Sequence, residues 1–360
     1  MKLISLKSLA CIFCALIMSS PLLAQDAPVC NRRPVHIGLI YPLSTNGLQA
    51  AEIKNGFSVH ALIGVSYSEQ SCVISGLAGI VKNDAHGVMI SGLMNTSVEA
   101  TGVHIAGLLN ITTEIKGLQI AGLLNTAGTT EGLQISGLLN IAKNVKGVQA
   151  AGLSNFSRSN SGLQISGLIN TSKNVSSQVS GLINVAGKVK GVQIAGLINI
   201  AEESDFPIGL VNIIKKGEKQ LGLSIDESGS VLLNFRSGGK YTYGIVSGGY
   251  NLREPILKYV MESGVGMHIP LSESLRLNAE TTGSVLSDVW TIAAFKGTAR
   301  VTGEWKAAKG FSLFAGPSVN YSGYDGNKGV NEHLQLWQFQ QYGYQNQLYL
   351  GGIAGVCLTL

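Results

Sequence analysis

The sequence predicts an all-β protein, and three observations support this fold class. Residues 87–205 consist of eight copies of a unit of about 15 residues with strand-like alternation of side chains. The region that follows, residues 206–360, contains further alternating segments rich in aromatic residues. After the N-terminal leader there is no run of 18 apolar residues, so we expect no membrane-spanning helix.

The first element, residues 1–24, has the features of a secretory signal peptide. Lys2 and Lys7 precede an apolar segment from Leu9 to Met18, and Ala24 ends a cleavage site before Gln25. The apolar segment is too short to span a membrane. We therefore expect the mature chain to be exported from the cytoplasm.

The composition narrows the location and the partners of the exported chain. Without Lys2 and Lys7, 24 of the 26 basic residues remain against 21 acidic ones, which indicates no nucleic-acid partner. Only 13% of residues are charged, whereas about a quarter is usual for a soluble domain. A hydrophobic exported chain without a spanning helix fits either a closed barrel in an outer membrane or a solenoid.

The N-terminal segment, residues 25–86, is predicted to form strands, among them Pro34–Tyr41 and Phe57–Tyr67. The repeats follow it without a linker. In the unit that opens at Gly132, Leu133 and Ile135 alternate with Gln134, and Asn140 follows on the amide face. These amides are candidate lumen or ladder residues: Asn95, Asn110, Gln119, Asn125, Gln134, Asn140, Gln149, Asn155, Gln164, Asn170, Gln178, Asn184, Gln193 and Asn199.

Two architectures are consistent with the repeats. A strand of about nine residues, tilted by about 40°, spans roughly 23 Å, close to the apolar band of a transmembrane barrel. We favour this antiparallel barrel, with on the order of 20 strands, inward amides and lipid-facing aliphatics. Leu138 would then also face inward, which does not fit. The alternative is a β-solenoid of 15-residue coils, with glycine corners and amide ladders, followed by a smaller barrel or sandwich. The near absence of aromatics from the repeats favours this alternative.

The C-terminal region, residues 206–360, is predicted to continue the repeats as aromatic-rich strands of the same barrel. The last segment is apolar, which suits closure against the first strand. The candidate strands are Lys240–Tyr250, Tyr259–Ile269, Leu275–Val285, Trp290–Trp305, Phe311–Tyr321, Leu334–Tyr342 and Leu348–Leu360.

The units GLQIAGLLN and GVQIAGLIN resemble a bacterial surface-repeat family of cell-envelope proteins. The segments PIGLVNI and FSLFAGPSVN and the glycine-rich last strand are similar to the barrel-type endings of Gram-negative outer-membrane proteins with such repeats. The resemblance covers about residues 35–360. It implies a place in the cell envelope and supplies no catalytic residues.

No arrangement of reactive residues indicates an enzyme, and we expect no cofactor and no metal. Nucleotide-binding, hydrolase-elbow and zinc-protease motifs are missing, and the histidines are scattered. Cys30, Cys72 and Cys357 exclude a disulfide framework, but leave open a Cys30–Cys72 bridge or unpaired thiols. The histidines are His36, His60, His86, His104, His268 and His333.

The expected function is therefore that of a non-enzymatic outer-membrane barrel, acting as a passive pore or a structural envelope component in contact with lipid. A pore would pass a small polar solute. The alternative is a solenoid in the periplasm or at the cell surface, which binds a carbohydrate or protein partner through its repeated Gln and Asn residues.

Overall fold

The computed structural model describes residues 31–253, 258–288, 292–325, 334–341 and 344–360. The predicted signal peptide, Cys30, Trp290 and His333 lie outside these residues. Within them the chain is all-β, as predicted, with two separate sheets and one short 3₁₀ turn, Gly47–Glu52. The first sheet is a parallel solenoid and the second is a closed antiparallel barrel.

The solenoid comprises sixteen strands in the described residues. Most repeat strands have 13 residues because each bends at a corner without losing its pairing. The strands are β1 Arg32–Ile40, β2 Leu43–Ser44, β3 Lys54–Ser66, β4 Ser68–Ser75, β5 Ala78–Val81, β6 Asp84–Ser91, β7 Met94–Ala106, β8 Leu109–Ala121, β9 Leu124–Ser136, β10 Leu139–Ala151, β11 Ser154–Ser166, β12 Ile169–Ser180, β13 Ile183–Ala195, β14 Ile198–Ala201, β15 Glu203–Ile208 and β16 Val211–Ile214.

The repeats stack in parallel and in register, so that each residue lies beside its equivalent in the next coil. Asn125 pairs with Asn140, and Gln134 pairs with Gln149. The placement of the repeats in an antiparallel barrel is therefore wrong, and the solenoid alternative is confirmed. Only parallel stacking brings identical residues together at every step, whereas an antiparallel hairpin would pair each amide with a different position.

Each coil has two short sides joined by two corners. In the coil after Gly132, the corner at Gly137 and Leu138 interrupts the alternation, so Leu138 points outward and the inward-leucine problem disappears. The other corner ends at the repeat glycine. Gly132 has a φ of 136°, and a Cβ there would overlap the carbonyl oxygen of Gly117 in the coil before it. Glycine recurs at this corner because adjacent backbones approach too closely for a side chain.

The barrel is formed by the C-terminal strands alone, and not together with the repeats. Eight strands close it. The last strand, β25 (Tyr344–Thr359), pairs with β23 (Phe311–Asp325) along one edge and with β17 (Lys219–Asp226) along the other, while β24 (Leu334–Gln341) extends the wall beyond β17. The last strand thus closes the barrel as predicted, but against β17. The strands are β17 Lys219–Asp226, β18 Ser230–Gly238, β19 Thr242–Asn251, β20 Tyr259–Pro270, β21 Leu275–Ser287, β22 Ile292–Ala308, β23 Phe311–Asp325, β24 Leu334–Gln341 and β25 Tyr344–Thr359.

The two ends of the barrel differ. At one end the chain enters β17 and leaves β25, and the connections at residues 239–241, 271–274 and 309–310 are short. We call this the short-turn end. The opposite end includes the longer connections at residues 252–258 and 326–333.

The last coil of the solenoid docks on the outer wall of the barrel near the short-turn end. The backbone N–H of Asn212 donates to Ser237 Oγ at 3.0 Å, and Thr242 Oγ1 donates to the carbonyl of Pro207 at 2.8 Å. Gly244 faces outward on β19, yet it is buried, and a Cβ there would overlap the carbonyl oxygen of Leu210. The last Gly-Leu corner of the solenoid therefore covers part of the outward face of the barrel.

Candidate functional site

The predicted asparagines form one continuous ladder inside the solenoid. From Asn95 to Asn199, each Nδ2 donates to the Oδ1 of the equivalent asparagine one coil further on, at 2.8–3.0 Å. Asn125 Nδ2 also donates to the carbonyl of Ile135 at 2.7 Å. Every member is 0% exposed. Paired burial of this kind stabilises the stack, whereas an unpaired buried amide would destabilise it.

The glutamines form a second ladder whose hydrogen bonds run the opposite way. Gln134 Nε2 donates to Gln119 Oε1 at 2.7 Å, and each following glutamine to Gln193 likewise donates to the coil before it. These side chains are also 0% exposed. The candidate amides therefore lie in the solenoid interior and not in the barrel lumen, and they are enclosed away from any partner.

His104 occupies a glutamine position and ends the second ladder, because the equivalent residue in the coil before it is Met89. It is 1% exposed, and both of its ring nitrogens are without a hydrogen-bond partner among the described residues. Burial lowers the pKa of His104 to about 4, so the ring is neutral at pH 7.

A second polar cluster fills the N-terminal coils. His60 and His36 lie 3.2 Å apart between ring nitrogens, and Glu69 Oε1 accepts hydrogen bonds from Ser58 and Asn55 at 2.6 and 3.0 Å. Burial lowers the pKa of His36 to about 4 and raises the pKa of the Glu69 carboxyl. These groups contact one another in the interior, and no group of three or more metal-ligating residues occurs in the described part of the chain.

The outside of the solenoid is aliphatic, with one charged corner. In the coil after Gly132, Ile135, Leu138, Leu139 and Ile141 face outward. Between residues 87 and 200, every Asp, Glu, Lys and Arg lies in the corner that precedes the opening residue of the next repeat, which is a glycine in every case except Ser176. The opposite corner presents one leucine per coil, 38–45% exposed, and we call this row the aliphatic edge: Leu77, Leu93, Leu108, Leu123, Leu138, Leu153, Leu168, Leu182 and Leu197.

Ion pairs between coils occur along the charged corner. Lys146 Nζ lies 2.7 Å from Glu131 Oε1, and Glu203 contacts both Lys188 and Lys216. These pairs lower the pKa of the Glu203 carboxyl to about 2, chiefly through the hydrogen bond from Lys188. Because the pairs are exposed, they contribute little to stability.

The outer face of the barrel wall is almost free of charge. Among the barrel-strand residues whose side chains the structure describes, Lys219, the first residue of β17, is the one outward-facing Asp, Glu, Lys or Arg. Large apolar side chains project there, such as Met261 at 71% and Val301 at 49% exposure. Soluble proteins rarely expose a continuous apolar surface of this extent.

Aromatic residues mark both rims of this wall. Trp305 and Phe311 lie towards the short-turn end. At the other rim, the Tyr250 and Tyr259 rings are 6.0 Å apart and the Phe295 and Tyr321 rings 5.8 Å apart. Phe295 and Trp305 are ten positions apart on β22, which is about 33 Å along the strand or roughly 25 Å along the barrel axis at a tilt of about 40°.

Ion pairs occupy much of the interior of the barrel, beside a small apolar cluster that includes Phe314 and Ile353. Glu280 accepts from Arg236 at 3.0 Å, from Arg300 at 2.5 Å and from the Tyr243 hydroxyl at 2.7 Å. Arg300 also donates a hydrogen bond to Glu262 at 3.1 Å. All five side chains are buried, so they form a connected layer across the lumen.

Two further ionic groups occupy the interior. Near the short-turn end, Arg276 joins Glu218 and Glu304 at 2.8 and 2.9 Å. Towards the opposite end, Lys296 Nζ lies 2.6 Å from Asp226 Oδ2. These inward-facing ions were not predicted from the sequence, although the period-two alternation of charged residues in segments such as Arg276–Glu280 is a signal for them.

Among the described residues, the remaining histidines and cysteines do not assemble into a site. His268 stacks on Tyr243 inside the barrel at 4.2 Å between ring centroids, and exposed His86 lies 3.3 Å from Asp84. Cys72 is half-buried and Cys357 buried, and neither is in a disulfide. Across the described residues, no helix combines the length and apolar character needed to cross a membrane.

Comparisons with known proteins add little. A scan against protein-family models finds no match, and a search of curated proteins also finds none. One solved structure, titled "De novo design of transmembrane beta-barrels", matches 40% of this chain and 93% of its own chain, with 13% identity and a TM-score of 0.25. The fold assignment rests on the strand pairings described above.

Proposed function

We propose that this protein is a non-enzymatic outer-membrane β-barrel that anchors a solenoid to the cell envelope and has a closed lumen. The observation that carries the proposal is the inverted polarity of the barrel, with ions inside and an uncharged apolar wall outside. In water this arrangement exposes the surface that the hydrophobic effect buries. In lipid it matches the outward apolar band and polar interior of transmembrane barrels.

The height of the apolar wall and the lengths of the connections at the two ends support this location. The distance between the aromatic rims, roughly 25 Å, equals the height of the apolar band of such barrels. Transmembrane barrels of bacteria also have short turns on the periplasmic side and longer loops outside. By this rule the short-turn end, and with it the docked solenoid, faces the periplasm.

The closed lumen favours a structural role over a passive pore. The layer of Glu280, Arg236, Arg300 and Glu262 crosses the interior of the narrow eight-stranded barrel, in which side chains are sufficient to fill the space. The enclosed amide ladders do not favour a partner bound through Gln and Asn. An anchoring function requires neither transport nor a ligand.

Membrane fractionation tests the proposal. After expression with its leader in a Gram-negative host, the protein should stay in the outer-membrane fraction through washes with alkaline carbonate and urea, and should require detergent for release. The folded barrel should also migrate faster than the boiled protein on a denaturing gel. Recovery of the protein in the soluble periplasmic fraction without detergent would contradict the proposal.

A further inference from the structure

The outside of the solenoid, like that of the barrel, is largely apolar. Its interior combines the amide ladders and small side chains with buried apolar residues such as Ile115 and Val145, whereas leucine, isoleucine and valine predominate on the outer sides of the coils and on the aliphatic edge. The wall has few exposed backbone groups, because each coil pairs with the coil before it and the coil after it. A paired backbone is the condition for placing β-structure in a nonpolar phase.

The aliphatic edge begins on the lipid-facing wall of the barrel. Leu210, the equivalent of the edge leucines in the last coil, lies over the outward-facing Gly244. Ile208 of the same coil lines a groove with Val265 and Met267, which also face outward. The apolar surface of the solenoid is therefore continuous with the apolar surface of the barrel.

The width of a coil corresponds to one lipid leaflet. The side from Leu139 to Ala142 has four residues and extends about 13 Å from the aliphatic edge towards the charged corner. The hydrocarbon core of a bilayer is about 30 Å thick, or about 15 Å for each leaflet. A coil with its leucine corner near the bilayer centre would place Lys143 and Lys146 at the headgroups.

We propose that the aliphatic edge of the solenoid inserts into the leaflet adjoining the short-turn end of the barrel, so that the stack of coils lies along the membrane as an interfacial element. The occupant of this surface is the acyl-chain region of phospholipid. This inference rests on the proposed membrane location of the barrel. The charged corner remains in water and sets the depth of insertion, as the polar face does in an interfacial amphipathic helix.

Photo-crosslinking of the unmodified protein tests the inference. The full mature chain is placed in phospholipid nanodiscs that contain a lipid with a diazirine on its acyl chain, and the adducts are located by mass spectrometry. We expect adducts on the barrel wall and on the outward aliphatic residues of the coils. Adducts on the barrel wall alone would overturn the inference and leave the proposed function intact. Adducts on neither region would contradict both.

Site-specific fluorescence provides a second measurement. An environment-sensitive dye is attached to Leu138→Cys or to Lys143→Cys, at opposite corners of one coil, with Met261→Cys as the barrel reference. Cys30, Cys72 and Cys357 are replaced by serine, and each variant is accepted only if it retains the gel shift of the folded barrel. We expect blue-shifted emission and quenching by a lipid-borne nitroxide at Met261 and Leu138, and quenching by aqueous iodide at Lys143.

Two outcomes of this measurement would overturn the inference. Equal quenching by iodide at Leu138 and Lys143 would show that the edge lies in water. Disulfide crosslinking between two Leu138→Cys chains, with dye protection that disappears on dilution to one protein per nanodisc, would show that a second copy of the chain covers the edge.

Discussion

Substituting arginine for Val301 in the barrel wall should be far more destabilising than the same substitution at Leu275. Val301 pairs with Ala279, and Leu275 pairs with Trp305 at the aromatic rim, so the two sites are separated by four residues of strand. That separation is about 13 Å along the strand, or roughly 10 Å in depth at a tilt of about 40°. Val301 therefore lies near the middle of a 25 Å apolar band, and Leu275 at its edge.

The difference in depth determines how much each substitution should lower the free energy of unfolding. Arginine at the midplane of a transmembrane barrel lowers the free energy of unfolding by about 2–4 kcal/mol, and near the interface by about 0–1 kcal/mol. Had the barrel been a soluble domain, both substitutions would change an exposed surface and alter stability by about 0.5 kcal/mol or less. The two sites have similar exposure, 49% and 41%, so a difference between them reports depth in lipid.

Equilibrium unfolding in guanidinium, followed by tryptophan fluorescence of the protein reconstituted in phospholipid vesicles, measures both free energies. Leu275→Arg is the matched control because it adds the same side chain to the same outer face. Equal effects at the two positions, or a change below 0.5 kcal/mol at Val301, would refute the membrane depth assigned to this wall.

Four other predictions concern the interior. Asn125→Ala should lower the free energy of unfolding of the solenoid by about 1–3 kcal/mol, because Asn140 loses a buried donor, while Asn144→Ala at the exposed corner should change it by less than about 0.5 kcal/mol in urea titrations. Glu280→Ala should lower the free energy of unfolding of the barrel by about 3–5 kcal/mol, because Arg236 and Arg300 are left buried without this partner. The wild-type protein should show no single-channel steps in planar bilayers, and stable ohmic steps would contradict a closed lumen. The pKa of His104 is lower in the folded than in the unfolded state, so the contribution of neutral His104 to the free energy of unfolding is complete above about pH 6.5 and declines by about 3 kcal/mol as the pH falls to 4. His104→Gln should reduce this acid sensitivity. If the free energies of unfolding at pH 7.5 and pH 4.5 differ by the same amount in the variant and the wild type, the assignment is wrong.

The sequence predicted the strands better than their pairing. The segments Tyr259–Ile269, Leu275–Val285 and Phe311–Tyr321 correspond closely to β20, β21 and β23, because alternation and turn residues are local signals. Parallel and antiparallel neighbours share the same period of two, so alternation did not distinguish a coil from a hairpin. The distinguishing signal was the identity of residues at a fixed spacing, since Asn125 and Asn140 meet only in parallel register.

The candidate site was predicted in part. The sequence indicated an amide face and an aliphatic face in each repeat, with the amides turned inward, and the structure has this orientation. It did not indicate that Glu280 and Arg300 meet inside the barrel, because the two are 20 residues apart and their contact depends on the pairing of β21 with β22. The docking of Asn212 on Ser237 likewise depends on how the two sheets pack.

The two amide ladders have opposite electrical polarity. The asparagine amides donate towards the barrel, and the glutamine amides donate towards the N-terminus. Amide dipoles aligned along one column would add with every coil, as peptide dipoles do along a helix, but two antiparallel columns largely cancel. A stack built in this way accumulates little dipole as it lengthens by about 4.8 Å per coil, so units can be gained or lost without an electrostatic penalty that grows with length.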